Sequence, residues 1–91
     1  MAKHLRGLGY QVEVEKAIGG GKTIDLVAHR DGQALAVEVE IGTSDVDQNV
    51  RKCVEAGFQD VLVLAPHGSA IQQVGRKIRG LEPTLRERVS L

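Results

Sequence analysis

Apolar and polar residues alternate from the tenth position onward. Tyr10, Val12, Val14 and Ile18 are interleaved with Gln11, Glu13 and Glu15, the period-two pattern of a strand with one wet face. Gly19-Gly20-Gly21 then makes a flexible turn. A second strand, residues 23–30, runs into Asp31-Gly32, the strongest short-range hairpin signal. A third strand extends over residues 34–41 and ends at Gly42. Ahead of these strands, residues 1–8 read as the end of a helix, with Leu5 and Leu8 on one face and Gly9 as its stop.

Beyond Gly42 the period changes. Ser44 starts a helix, and with Asp47 three residues later it matches an acidic capping box. Val46, Val50, Cys53 and Val54 share one helical face, and Gly57 stands where the helix should stop. The run Val61-Leu62-Val63-Leu64-Ala65 is the signature of a buried strand. Reached through a helical crossover, it is expected to lie parallel to its neighbour. A second helix is expected over residues 69–79, with Ile71, Val74 and Ile78 inward, and a last short strand over 85–91. The pattern predicts an α/β fold with a mixed central sheet and flanking helices.

The hairpin register makes a chemical prediction. With Asp31-Gly32 as a two-residue loop, Arg30 faces Gln33. Asp25 then faces Glu38 and Thr23 faces Glu40, with Cβ atoms of directly paired residues roughly 4.5–5.5 Å apart. Leu26 opposite Val37, Ile24 opposite Val39 and Ala28 opposite Leu35 form the other, apolar face. Three acids on one patch of a central strand repel one another, and burial raises the cost. A divalent cation removes it, since Mg²⁺ typically binds one or two carboxylates with waters and phosphates. The competing reading is a face open to water on which the acids are merely solvated. The otherwise apolar third strand, flanked on both sides, opposes it.

The blocks Ile24-Asp25-Leu26-Val27-Ala28 and Ala36-Val37-Glu38-Val39-Glu40 resemble the hydrophobic-Asp and hydrophobic-E-x-K motifs of PD-(D/E)xK nucleases. The resemblance covers roughly residues 1–66. It implies a restriction-endonuclease-like αβββαβ core and a metal-dependent DNA endonuclease. It also implies Mg²⁺ or Mn²⁺ held by Asp25 and Glu38, with the Val39 carbonyl as a further ligand. Glu40 occupies the position of the family's lysine, where a carboxylate acts as general base or binds a second metal. Lys52 is the candidate to replace that cation from the following helix, although helical geometry points it away from the apolar face and toward solvent. No acid precedes Glu13, whereas the family often carries one on its first helix. The segment 40–58 also looks like nuclease-like domains associated with conjugation or DNA-translocating ATPases. Besides DNA, the expected partners are therefore such an ATPase and a second copy of the chain. The rival readings are a noncatalytic nuclease-fold module binding DNA or that ATPase, and a purely structural domain with an acidic surface.

Composition adds limits. Apolar residues make up 42% of the 91 residues but aromatics only 2%. The core must therefore be aliphatic, and base stacking on aromatic platforms is disfavoured. Net charge is +0, yet residues 23–60 hold three Lys/Arg against eight Asp/Glu, between basic flanks. An acidic centre beside basic surface fits a metal site next to bound phosphate, and fits random clustering equally well. Lys22 and Asn49, with Arg76, Lys77 and Arg79, are the candidate DNA contacts, the last three equally explained as a solvated helix face. The sole cysteine, Cys53, suggests a cytoplasmic setting. No apolar run approaches a membrane span. Gly-Gly-Gly-Lys-Thr at 19–23 lacks the leading glycine of a phosphate loop, where Lys16 stands instead. His4, His29 and His67 have no zinc-ligand spacing with Cys53.

Overall fold

In a computed structural model, which describes residues 2–41 and 43–91, the chain is an α/β protein with one five-stranded mixed sheet. Its elements are α1 (Ala2–Gly7), β1 (Gln11–Gly19), β2 (Lys22–Arg30), β3 (Gln33–Val39) and α2 (Val46–Glu55). They continue with β4 (Asp60–Leu64), α3 (Gly68–Arg79), α4 (Pro83–Arg86) and β5 (Val89–Ser90). Strand order in space follows strand order in sequence. β1, β2 and β3 form an antiparallel meander, and β4 and β5 add in parallel on the far side of β3. One core lies beneath α2, α3 and α4, built around Ile24, Val27, Val50, Val63, Val74 and Leu85. A smaller one, with Leu5, Leu26, Ala28 and Val37, lies on the α1 side.

The Asp31-Gly32 turn sets the register as the sequence predicts. Both residues adopt left-handed φ, 54° and 77°, the pair of angles a type I′ turn requires. Pairing then runs from Arg30↔Gln33 to Leu26↔Val37. There the ladder stops. Asp25 and Glu38, expected as a direct pair, are not ladder partners, nor are Thr23 and Glu40. Asp25 Oδ2 instead accepts the Val39 backbone N–H at 2.9 Å. A side chain thus takes the hydrogen bond that a backbone carbonyl would have taken.

β1 gives way at the same level. Its pairing passes from Val14↔Leu26 to Lys16↔Ile24, with Glu15 between them at φ 51°, a conformation uncommon for a residue with a Cβ. Paired irregularities on both sides re-aim β2. Leu26 packs on the α1 side, while Ile24 is buried with Val27 in the α2-side core. The expected apolar face joining Ile24, Leu26 and Val39 is therefore broken, and Val39 is 50% exposed.

Two further boundaries differ from the pattern. The N-cap of α2 is Asp45, whose side chain accepts the Gln48 N–H at 3.0 Å. Ser44 turns back and accepts the Ile41 N–H through Oγ. Both residue types cap well, and the helix begins one residue later than Ser44 would place it. At the C-terminal end, Pro83 opens α4 and buries Leu85, so the last strand is confined to Val89–Ser90. Pro presets φ for a first helical turn, which breaks the expected strand over 85–91. Among the described residues, no helix is long and apolar enough to cross a membrane.

Candidate active site

Helix α2 lies across β3, and their periodicities mesh. Residues 49 and 52 are about 4.5 Å apart along a helix, while 38 and 40 are about 6.6 Å apart along a strand and share a face. Asn49 and Lys52 therefore meet Glu40 and Glu38 in order. Asn49 Nδ2 donates to Glu40 Oε1 at 2.9 Å, and Lys52 Nζ donates to Glu38 Oε1 at 2.8 Å. Cys53 Sγ, on the next helical position, donates to the same Glu38 oxygen at 3.6 Å. The third carboxylate, Asp25, arrives from β2 and is held by the Val39 N–H.

Burial divides the acids. Glu38 is 2% exposed and Glu40 0%, whereas Asp25 is exposed. Burial pushes the Glu38 carboxyl up to about 7. The Lys52 hydrogen bond pulls it back, and the hydrogen bond and charge of Asp25 push it further up. Burial likewise drives the Cys53 thiol up to about 12, assisted by the Glu38 charge. That thiol is a packed donor, inert as a nucleophile. Glu40 is enclosed with one oxygen on Asn49, and its Oε2 has no partner among the described residues. It presents nothing to solvent.

The expected orientation of Lys52 is corrected most sharply. Its side chain is only 14% exposed and its ammonium is paired with Glu38. The helical wheel placed its Cα on the flank correctly, but a four-carbon stem reaches past that flank to a carboxylate below. Lys22 and Asn49 also come to the site, lining with Thr23, Gln48 and Lys52 a cleft of about 270 Å³. Arg76, Lys77 and Arg79 do not line it. Lys77 Nζ donates to the Ser44 carbonyl at 2.8 Å, and the Arg79 carbonyl accepts from Arg86. Gln48 was not among the sequence's candidates, and Thr23 entered only as the expected partner of Glu40. Gln48 lies one helical turn before Lys52, which was the available signal.

The donors fit a hard cation better than zinc. Among the described residues, no three His, Cys, Asp or Glu side chains converge to hold a metal ion. Two carboxylates do come near each other, Asp25 and Glu38, and the nearness of Asp25 raises the Glu38 pKa. Mg²⁺ usually takes only one or two carboxylates and completes its shell with waters and phosphate oxygens.

No protein-family model matches the chain, and no curated protein matches it. Its fold is similar to the crystal structure of a protein of unknown function, AF1548, with a TM-score of 0.49 and 19% identity over 82% of this chain. The match spans 50% of that protein.

Proposed function

We propose that this chain is a metal-dependent DNA endonuclease domain with a restriction-endonuclease-like core, in which Asp25 and Glu38 hold Mg²⁺ or Mn²⁺. The observation that carries this reading is the convergence of Asp25 from β2, Glu38 from β3 and Lys52 from α2. Two acids and one base at the open end of a strand pair are the groups phosphodiester hydrolysis needs. Bound there, the cation would offset phosphate charge and make a coordinated water acidic enough to attack. Lys52 supplies the fixed positive charge that Glu40 cannot, and it stands ready to balance charge developing on the phosphate. Asp25, exposed and fixed by a backbone N–H, is preorganised to hold its ligand without rearrangement. Glu40 acts by anchoring α2 to β3 through Asn49.

One observation favours a noncatalytic module that binds DNA or a DNA-translocating ATPase: the Glu38 charge already has a partner in Lys52. The two readings separate in one assay. Supercoiled, linear and branched DNA are incubated with the protein and Mg²⁺ or Mn²⁺, beside Asp25→Asn and Glu38→Gln. Metal-dependent cleavage lost in both variants is expected. A folded protein that cuts none of these substrates would overturn the enzyme reading, and cleavage surviving both substitutions would overturn the site.

A further inference from the structure

We infer that the cleft between the glycine hairpin and α2, lined by Lys22, Thr23, Gln48, Asn49 and Lys52, seats the DNA backbone phosphate next to the one that reacts. This rests on the reading that the reacting phosphate lies at Asp25, Glu38 and Lys52. Four observations support it.

Every lining side chain is polar, and two are lysines. Neither aromatic residue of the chain contributes. Tyr10 packs on the α1 side and Phe58 against the α2-side core. Such a lining suits a phosphate and its sugar rather than a stacked base.

Lys22 is exposed and makes no ion pair among the described residues. Three other basic side chains are engaged within the protein: Lys16 on Glu13, Arg51 on Asp47 and Glu82, and Arg88 on the Phe58 carbonyl. Lys22 is an uncommitted charge beside the site.

The hairpin tip is bare. Gly19, Gly20 and Gly21 take φ of 92°, 63° and 74°, with open space around each. L side chains rarely adopt that conformation, so the tip is restricted to residues without a Cβ. A nucleic-acid strand can cross it to reach the cleft.

The spacing also fits. Gln48 and Lys52 lie one turn apart on α2, about 6 Å along its axis. That is the order of the separation of neighbouring phosphates along one strand. Gln48, whose side chain makes no hydrogen bond among the described residues, sits where the second phosphate would fall.

The test is fluorescence anisotropy of a labelled DNA duplex, titrated at several salt concentrations with the Asp25→Asn protein, which binds without cutting. Lys22→Ala in that background is expected to weaken binding several-fold at low salt. It should also reduce the slope of log K against log[salt] by about one. Lys3→Ala, which removes an equal charge on α1, should change neither. Unchanged affinity and slope for Lys22→Ala, or equal losses for both lysines, would overturn the cleft assignment. The nuclease reading is judged separately, by cleavage with the Asp25 protein. Cutting without a Lys22 effect refutes this inference alone, and a Lys22 effect without cutting refutes only the enzyme reading.

Discussion

Lys52 Nζ and Glu38 Oε1 stand 2.8 Å apart where α2 crosses β3, each side chain largely withdrawn from water. Removing one member of a buried pair leaves the other uncompensated, typically at a cost on the order of 3 kcal/mol. Lys52→Met keeps the stem and deletes the charge. Its destabilisation is expected to be large at about pH 8 and much smaller at about pH 5, where a proton on Glu38 substitutes for the ammonium. Urea unfolding at both values measures this. Equal losses would mean that the pair adds no electrostatic stability.

The unmutated protein should show its own pH dependence from Glu38. Its folded pKa, about 7, lies above the ordinary 4.5. Between those values the folded state binds a proton that the unfolded state has released. The Glu38 contribution to stability is thus full below about pH 4.5, falls as pH rises to about 7, and is flat beyond. Denaturant midpoints across that window should decline, and Glu38→Gln should remove most of the decline. A slope that survives the substitution would assign it to another group.

Divalent cations should reverse that trend. Binding to the folded state alone raises stability by mass action, and the cation competes with the proton on Glu38. Millimolar Mn²⁺ is expected to raise the melting temperature more at about pH 8 than at about pH 5. Asp25→Asn should blunt the increase. A thermal shift that ignores Asp25 would place the ion elsewhere.

Glu40 should behave as a structural anchor. Glu40→Ala leaves a cavity and strands Asn49 Nδ2, a combined cost of about 2–4 kcal/mol. Glu40→Gln keeps an acceptor for Asn49 and should cost less. It should also retain most of any cleavage activity, unlike Asp25→Asn. Chemical denaturation and the cleavage assay together check this. Loss of cleavage in a fully stable Glu40→Gln protein would return Glu40 to the chemistry.

The meander register was legible because two independent signals agreed on it, the Asp31-Gly32 turn and the apolar pairing of Leu26 with Val37. The parallel β4 was legible from its continuous apolar run. Extending the register to Asp25 failed because alternation assumes an unbroken ladder, whereas Glu15 and Asp25 both depart from it. Lys52 was misjudged for a different reason. A helical wheel locates Cα positions, and it does not describe where a long side chain ends once a buried carboxylate attracts it. The basic residues of α3 could not be divided by charge alone. What separates Lys77 from Lys22 is a backbone carbonyl at Ser44, brought near by folding.

The parting of β2 and β3 also bears on how an inactive protein should be made. Asp25 acts as a wedge as well as a proposed metal ligand, because its carboxylate occupies the Val39 N–H and so keeps the two strands from zipping further. An alanine there frees that N–H to seek a new acceptor. The strands would then be free to close on the space beside Asp25 where the proposed substrate would lie. An Asp25→Ala protein is thus a differently shaped molecule, and its silence in an assay would have two explanations. Asparagine keeps an oxygen for Val39 and alters the charge alone, which makes it the cleaner control.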